Sequence, residues 1–585
     1  MNSQTNEPAR ADVPLLHCGA DGGHCAASSS DKVLGSMILL HVLCLAFSAV
    51  CAAKKPPHII LIMADDVGWA DTSLVGSRQI PTPNLDALAA HGILLSSHYT
   101  LQTCTPSRAA LLTGLYPIRM GLQHAVMIPA QPGGMDPRVP TMAERLKGLG
   151  YVTHALGKWH LGYSCTKYLP TRRGFDTFYG YYNTAKYYFT QKLNFNNICG
   201  RDYWDNEKPA TDADGTYDTN LVTDRVVDII SSHDSNKPLF IYLAPLAAHG
   251  QTTLLAGAVD ALDESVGRIM AALHQRRMLA NSVLVFTSDN GGIPWGVFSN
   301  TGSNWPLRGT KGTMWEGGVR LPAVVWSPLL VPGSRVVVPQ PMHVVDWLPT
   351  LYSAAGGSIK DLGAIDGIDL WPALSAAKSS KETSWPRSEF LINFDTGAGL
   401  SAYRDGNYKL VAVTTPTAGE ARYPFDEPGL QRHVPTPGGM PPDQSGHNAT
   451  ELLNTRMKSS LAWRTLKDFY GDGDASCLAA LSSDWREQAA LRCESNNEAV
   501  PGLEELREGD YLFDIAQDPC ELKNLAQSLP SVVAKLSQKL NSYASVTKPP
   551  ATLTMDPAGL PFVNDCIWAP WEDRTQTAKQ SCSCP

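Results

Sequence analysis

The stretch His58-Ile-Ile-Leu-Ile-Met63 is followed, after a single alanine, by Asp65-Asp66. A short apolar run without polar alternation predicts a strand buried on both faces, as in a parallel sheet. Two adjacent carboxylates at the end of a buried strand repel each other unless a cation lies between them. The alternative for such a pair is a turn in which one acid caps the next helix, and it stays open at this point.

The same pattern recurs along the chain. Further apolar runs predict strands at 151–156, 239–244, 283–287 and 322–326, the last of these as the final strand. Periodic or capped stretches predict helices at 84–91, 141–150, 220–232, 256–279 and 343–355. This alternation predicts a parallel, doubly wound sheet. Asp263 and Glu264 are expected on the solvated face of their helix.

Polar side chains follow four of the predicted strands. In addition to Asp65 and Asp66, the strand ends are followed by Lys158 and His160, by His249, and by Asp289 and Asn290. A lone histidine or lysine is more often structural. Because strand carboxyl ends form the ligand crevice of an open α/β sheet, the recurrence predicts one shared site at that edge.

Oxygen atoms are the available metal ligands in this predicted site. Asp65, Asp66, Asp289 and Asn290 would offer carboxylate and amide oxygens, which select a hard cation. Calcium tolerates irregular ligation of this kind better than magnesium does. The sequence contains no histidine and cysteine cluster with zinc spacing, which argues against a two-zinc phosphatase site.

A second informative stretch is Cys104-Thr-Pro-Ser-Arg-Ala-Ala-Leu-Leu-Thr-Gly114. Pro106 suits the first turn of a helix, which would place Cys104 at a helix N-terminus, where backbone N–H groups favour an anion. Arg108, one turn later, adds a forked cation suited to a tetrahedral oxyanion. A buried structural cysteine beside a turn is the alternative reading for an isolated cysteine.

This stretch carries the C-x-P-S-R signature of the type I sulfatases, and the chain resembles that family from residue 54 to residue 369. The resemblance is closest to the arylsulfatase B group, which includes arylsulfatases I and J. The other matching segments are Ala64-Asp65-Asp66-Val67-Gly68-Trp69, Gly157-Lys158-Trp159-His160-Leu161-Gly162, 169–177, Asp289-Asn290-Gly291-Gly292, 304–309 and 315–320. So many ordered matches exclude chance similarity.

The resemblance implies an α/β fold. It would consist of a large doubly wound mixed sheet flanked by helices and a smaller C-terminal α+β domain built on an antiparallel sheet. We expect an N-terminal extension and signal peptide at 1–53, a catalytic domain at 54–386 and the C-terminal subdomain at 387–585. A length of 585 residues also exceeds one ordinary core.

The resemblance also implies a mechanism. A formylglycine-generating enzyme would oxidise Cys104 to formylglycine, whose hydrate attacks sulfur and gives a covalent sulfo-enzyme intermediate. Calcium would be bound by Asp65, Asp66, Asp289, Asn290 and the modified Cys104. Sulfate would be held by Arg108, Lys158 and Lys311. His249 and Lys311 would assist the leaving oxygen, and His160 would help to deprotonate the second hydroxyl of the hydrate.

The implied activity is hydrolysis of sulfate esters, with aryl sulfates as test substrates and sulfated N-acetylgalactosamine of glycosaminoglycans as the natural substrate class. Two alternatives stay open: a phosphoester or phosphonate hydrolase of the same superfamily, and a catalytically impaired pseudo-sulfatase that binds sulfated glycans. The last is suggested by two departures from the family pattern. Leu115 replaces the arginine that assists cysteine conversion, and the segment at 250–259, beside His249, is short.

The N-terminal leader predicts that the protein enters the secretory pathway and is either lysosomal or secreted. The run at 33–53 is apolar and ends in small residues, which favours a cleaved signal peptide, with Met37 as an alternative start, over a signal anchor. No membrane span is expected in the mature chain, and a net charge of −8 gives no general attraction to nucleic acid.

Asn448 begins the sequon Asn448-Ala-Thr450. Disulfides are expected among the eight cysteines after the leader other than Cys104, with open pairing and no obvious partner for Cys165.

Overall fold

The computed structural model describes residues 55–250, 255–293, 302–330, 337–376, 385–414, 449–471, 485–491, 493, 508–573 and 582. The predicted leader at 1–53 and the sequon asparagine Asn448 lie outside these residues. Pro56–Pro585 forms one compact unit. Within the described part of the chain, no helix combines the length and apolar character needed to cross a membrane.

Strands and helices alternate through the first two thirds of the described chain. The elements are β1 His58–Ala64, α1 Pro83–Ala90, β2 Ile93–Tyr99, α2 Cys104–Thr113, α3 Met142–Gly148, β3 Val152–Lys158, β4 Thr177–Tyr181, β5 Lys192–Phe195, β6 Ile198–Arg201, β7 Trp204–Asp205, β8 Lys208–Pro209, α4 Asp218–Ser232, β9 Leu239–Ala244, α5 Leu255–Gln275, β10 Ser282–Ser288, α6 Glu316–Val319, β11 Arg320–Trp326, β12 Val337–Val338, β13 Met342–His343, α7 Trp347–Ala354 and α8 Trp371–Ser375. Single turns of 3-10 helix, such as Pro117–Arg119 and Val344–Asp346, lie in several connections.

The remaining elements belong to the C-terminal part. They are β14 Glu389–Asp395, β15 Leu400–Asp405, β16 Tyr408–Val413, α9 Ala449–Ser459, α10 Leu461–Tyr470, α11 Trp485–Ala489, β17 Gly509–Asp514 and α12 Pro530–Asn541. Strands β14, β15, β16 and β17 form an antiparallel four-stranded sheet in that order. A separate hairpin pairs β5 with β6.

The large sheet has β1 near its centre. Its order is β12-β2-β11-β10-β1-β9-β3-β4-β7-β8, with β13 also paired to β2. Strands β10, β1, β9, β3 and β4 run parallel, so their carboxyl ends share one edge. β11 runs antiparallel to both β10 and β2, which makes the sheet mixed. The predicted fold class, a large mixed sheet with helices and a small antiparallel sheet, is confirmed.

Alternate residues of β1 enter two different apolar cores, one on each face of the sheet. Ile59, Leu61 and Met63 join a core that also contains side chains of α2, α3 and α7. Ile60 and Ile62 join the other core, with side chains of α1, α4 and α5. The period of two in a strand explains why an unbroken apolar run is required here.

Two predictions of detail are wrong. The strand predicted as the last one along the chain, at 322–326, is β11, and the short strands β12 and β13 of the same sheet follow it. Asp263 is not solvated but 1% exposed, and its carboxylate accepts hydrogen bonds from the backbone N–H groups of Asn84 and Leu85, at 3.0 and 2.8 Å. It therefore caps the first turn of α1 from a neighbouring helix, which a reading of one helix by its own pattern does not reveal.

Disulfides occur in the described chain, as expected. Cys493 pairs with Cys520 and Cys566 pairs with Cys582, and Cys199 is also disulfide-bonded. Cys104 and Cys165 are free thiols. Disulfides are typical of proteins that fold in an oxidising compartment.

Candidate active site

The polar groups that the sequence places after separate strands lie together at the carboxyl edge of the large sheet. Asp65 and Asp66 follow β1, Lys158 ends β3, and Asp289 and Asn290 follow β10. One ligand atom from each of Asp65, Asp66, Cys104 and Asp289 lies within 4.8 Å of all the others. All four residues are buried.

Cys104 is the first residue of α2 and has no exposed surface. Its Sγ lies 3.2 Å from Lys311 Nζ and 3.7 Å from Asp65 Oδ1. Burial, reinforced by Asp289 and opposed by Lys158 and Lys311, raises the pKa of the Cys104 thiol to about 12. An unmodified thiol at this position is therefore protonated and a poor nucleophile at neutral pH.

The three cations of the cluster each bind a carboxylate. Lys158 Nζ lies 2.8 and 3.0 Å from the two oxygens of Asp65. Lys311 Nζ lies 2.5 Å from Asp66 Oδ1. Arg108 donates to Asp289 Oδ2 from Nε, at 3.1 Å, and from Nη2, at 2.7 Å. The pairs balance three negative against three positive charges, so a bound divalent cation would make the site positive and attract an anionic ester.

The carboxylates differ in their proton affinity. Burial, reinforced by Asp289 and Asp66 and opposed by Lys158 and Arg108, raises the pKa of Asp65 to about 7. Burial also acts on Asp66, but Lys311 and His249 outweigh it and lower the pKa of that carboxyl. Three buried carboxylates this close together repel one another when all are ionised. A divalent cation between them would compensate this repulsion.

Unsatisfied oxygens support a metal site at this position. Asp66 Oδ2 and Asn290 Oδ1 are buried and have no hydrogen-bond partner, although buried polar atoms are normally paired. Asn290 reaches the cluster through Nδ2, which donates to Asp66 Oδ1 at 2.7 Å. The residues present therefore fit a hard cation with oxygen ligands, as calcium requires.

Backbone geometry around Asp289 leaves no room for a side chain at Gly291. A Cβ there would lie 1.9 Å from the carbonyl oxygen of Gly317. The Gly291 N–H also donates to Gly318 O at 2.9 Å, which ties the loop after β10 to α6. Glycine at this position keeps the loop after Asp289 close-packed.

The two predicted histidines lie beside the cluster in different settings. His249 Nε2 is 3.6 Å from Asp66 Oδ2, and 16% of its side chain is exposed. His160 is 1% exposed, with Nε2 at 2.9 Å from the carbonyl of Met127 and Nδ1 without a partner. The carbonyl assigns the proton to Nε2, so Nδ1 is the basic atom of His160. Burial lowers the pKa of His249 to about 3 and that of His160 well below its usual value.

Two tyrosines that the sequence reasoning missed hold this arrangement. Tyr242, in β9, accepts a hydrogen bond from Arg108 Nη1 at 3.3 Å. Tyr188 donates to the carbonyl of His249 at 3.1 Å and to that of Leu246 at 3.2 Å. A hydroxyl inside the apolar run of β9 was the available signal for Tyr242, whereas nothing local marks Tyr188.

A protein-family model matches the part of the chain that contains this cluster. The family model described as Sulfatase matches residues 57–358. The chain belongs to the sulfatase family. The resemblance inferred from the motifs is thus confirmed, and membership supports sulfate ester hydrolysis as the class of reaction.

The alignments of this sulfatase with curated relatives cover most of the length of each relative. Mouse (Mus musculus) arylsulfatase J is 33% identical over 552 residues, which cover 91% of this chain and 83% of the relative. Human (Homo sapiens) arylsulfatase A is 34% identical over 409 residues, covering 63% and 77%. The dog (Canis lupus familiaris) N-acetylgalactosamine-6-sulfatase is 35% identical over 398 residues, covering 63% and 74%.

Solved structures share the fold. The crystal structure of Ps i-CgsB superposes with a TM-score of 0.62 at 24% identity, covering 85% of this sulfatase and 94% of that chain. The PsFucS1 sulfatase from Pseudoalteromonas sp. gives a TM-score of 0.59 at 21% identity, covering 85% and 92%. At these identities the likeness concerns the fold alone.

Proposed function

We propose that the protein is a calcium-dependent sulfatase in which Cys104 matures to formylglycine. The observation that carries the proposal is the position of the Cys104 Sγ, 3.2 Å from Lys311 Nζ and 3.7 Å from Asp65 Oδ1, inside a buried cluster of three carboxylates and three cations. A hydroxyl on this carbon would face both a hard-metal site and fixed positive charge.

Two absent groups complete the proposed site. Asp65, Asp66, Asp289, Asn290 and the modified Cys104 would hold calcium, which neutralises the carboxylates and polarises an ester oxygen. Formylglycine supplies, as its hydrate, one hydroxyl nucleophile for sulfur and a second hydroxyl through which sulfate is released. A formylglycine-generating enzyme is the maturation partner.

The chain's own side chains position the ester and move protons. Lys158 and Lys311 point their ammonium groups into the cluster and stabilise charge on the transferring group, while Arg108 fixes Asp289. His249 lies at the exposed side of the cluster, where its ring N–H can donate a hydrogen bond to the leaving oxygen. His160 has an unpaired Nδ1 that can accept a proton inside the site.

The proposed substrate class is sulfated N-acetylgalactosamine in glycosaminoglycans, in the secretory pathway. The N-acetylgalactosamine-6-sulfatase relatives and the disulfides support this assignment. We assign catalysis to 54–386, since every side chain of the cluster comes from that range, and treat 387–585 as a separate C-terminal subdomain.

The test combines one chemical and one kinetic measurement on protein secreted from eukaryotic cells. Mass spectrometry of the peptide that spans Cys104 should find formylglycine, and an aryl sulfate should be hydrolysed faster than the matched aryl phosphate. Cys104→Ala should lower turnover by about a thousandfold or more while thermal unfolding is unchanged. An unmodified thiol without turnover would favour a glycan-binding pseudo-sulfatase, and faster phosphate turnover would favour a phosphoester hydrolase.

A further inference from the structure

A second concave site lies between the β2–β11 side of the large sheet and the small antiparallel sheet. Its volume is about 530 Å³, within the range of pockets that enclose small ligands. Its lining shares no residue with the cluster around Cys104. Its lining includes Arg320, Gln340, Trp385, Arg387 and Arg404.

Three arginines line this pocket although each is almost fully buried. Arg320, Arg387 and Arg404 are 5%, 3% and 6% exposed. A buried guanidinium requires compensating partners, because removal of its charge from water is costly. Two of the three have them. Arg387 pairs with Asp346, and Arg320 Nη1 lies 3.4 Å from Glu316 Oε2.

Arg404 forms no direct ion pair in the described chain and is linked to a carboxylate through the Tyr99 hydroxyl, which donates to Glu316 Oε2 at 2.6 Å. Its Nε donates to the carbonyl of Gly406 at 3.1 Å, and its Nη1 contacts the hydroxyl of Tyr99. Neither partner is a carboxylate, and within the described chain no hydrogen bond uses Nη2. Gln340 lies in the connection between β12 and β13, and its buried Oε1 also lacks a hydrogen-bond partner. The pocket therefore presents one guanidinium nitrogen, Arg404 Nη2, and one carbonyl oxygen, Gln340 Oε1, that have no protein partner in the described chain.

These two unused groups specify complementary ligand chemistry. The two N–H groups on Nη2 of Arg404 suit the oxygens of a sulfate or carboxylate, which accept charge-assisted hydrogen bonds. The Gln340 oxygen requires a donor, such as a sugar hydroxyl, which a bare oxyanion does not supply. Trp385 is fixed by its Nε1–H, which donates to Pro341 O at 2.7 Å, and presents an aromatic surface suited to the apolar face of a sugar ring.

We propose that this pocket binds one acidic sugar unit, a sulfated sugar or a uronic acid, of a glycan chain. The pocket would thereby select extended polymers over small sulfate esters. That selective role rests on the proposed sulfatase function, whereas binding itself does not. Arg320 also lies over the ring of Trp69, at 5.3 Å from its centroid, so the pocket wall adjoins the segment that follows Asp66.

The experiment separates binding from turnover. Isothermal titration of the full chain carrying Cys104→Ala measures binding of a chondroitin sulfate hexasaccharide, a neutral chitin hexasaccharide and inorganic sulfate. The acidic hexasaccharide should bind more tightly than the other two probes. Adding Arg404→Gln should weaken its binding about tenfold, the loss of one charge-assisted contact. Arg138→Gln, at an 84% exposed arginine side chain paired with Asp136, is the control and should have no effect.

A second variant guards against a folding defect at Arg404. Gln340→Glu keeps the side-chain size and places a carboxylate in the half-buried rim, so it should weaken the acidic hexasaccharide to a similar degree. With Cys104 intact, both pocket variants should raise the KM for the hexasaccharide and leave aryl sulfate hydrolysis unchanged. Normal hexasaccharide binding in both variants would overturn the proposal, as would binding of inorganic sulfate that both variants weaken equally. Failure of aryl sulfate hydrolysis in the unmodified protein would instead contradict the proposed function.

Discussion

Lys409 is a buried lysine whose replacement should destabilise the folded protein. It lies in β16 of the small sheet with no exposed surface. Its Nζ is 3.0 Å from Glu316 Oε1, in α6, and 2.8 Å from Glu521 Oε1, after β17. One buried ammonium therefore holds two carboxylates and links the small sheet to the segment that precedes β11.

Lys409→Met should destabilise the protein strongly and in a pH-dependent way. Removing one partner of a buried ion pair costs about 3–5 kcal/mol. Burial, opposed by Lys409 and reinforced by Glu316, raises the pKa of Glu521 to about 7, whereas Lys409 and two arginines lower that of Glu316 against the effect of burial. The full cost should therefore appear at pH 8, where both carboxylates are charged in the parent and the variant lacks the ammonium group that stabilises them. At pH 5 Glu521 is protonated, so we expect Lys409→Met to destabilise the protein by only about 2 kcal/mol.

The direction of each pKa shift determines whether the stability of the fold rises or falls with pH. A carboxyl whose pKa is higher in the folded state stabilises the fold below its unfolded pKa, and this contribution is lost as the pH rises through 7. The lowered pKa of Glu316 acts only in more acidic solution. Stability falls with rising pH in this window for the parent as well, but the variant should fall further.

Urea unfolding at pH 5 and pH 8 measures the effect. Lys409→Met/Glu521→Gln should recover part of the loss at pH 8, because it removes one of the two unpaired charges. Lys535→Met, at a 61% exposed lysine side chain paired with Asp405, is the control and should change stability little. A loss of equal size at both pH values would refute the assignment of Glu521 as the titrating group.

Three further predictions test other parts of the structure. Gly157→Ala would place a Cβ 2.0 Å from the carbonyl oxygen of Ala244 at a φ of +91°, so urea unfolding should register a loss of about 2–4 kcal/mol; Gly148→Ala, where nothing lies within 4 Å, should not destabilise. Asp263→Ala leaves the first N–H groups of α1 without their acceptor and should cost about 3 kcal/mol in the same assay; a change below that of typical surface variants would contradict the capping role. Removal of calcium with a chelator should lower both the melting temperature and aryl sulfate turnover, and only added calcium, not magnesium, should restore them; unchanged melting would argue against a metal between the carboxylates.

The centre of the fold could be predicted because its strands are written as local patterns. The runs that became β1, β9 and β10 are mostly apolar, and each is followed by the polar groups that meet at one edge. Local sequence contains both the buried strand and the chemistry at its end. The proximity of Asp65 and Cys104 then follows from the shared edge and from the position of α2.

Other parts could not be predicted because their stability depends on partners far along the chain. β2 contains Ser96, Ser97 and His98, which are buried although they are polar, so its sequence lacks an apolar run. β15, Leu400–Asp405, mixes small and charged residues and is fixed by pairing with β14 and β16. Asp263 was misplaced for the same reason, since its hydrogen-bond donors lie on another helix.

Burial of Cys104 limits the time during biosynthesis at which an enzyme could reach its thiol. The thiol has no exposed surface once the sheet has closed, and Lys311, which contacts it, is made 207 residues later. While the nascent chain emerges, α2 has left the ribosome but the strand and loop that seal it have not been translated. The proposed maturation enzyme would therefore have to act on the chain before it folds, and it would have only the sequence around position 104 to recognise.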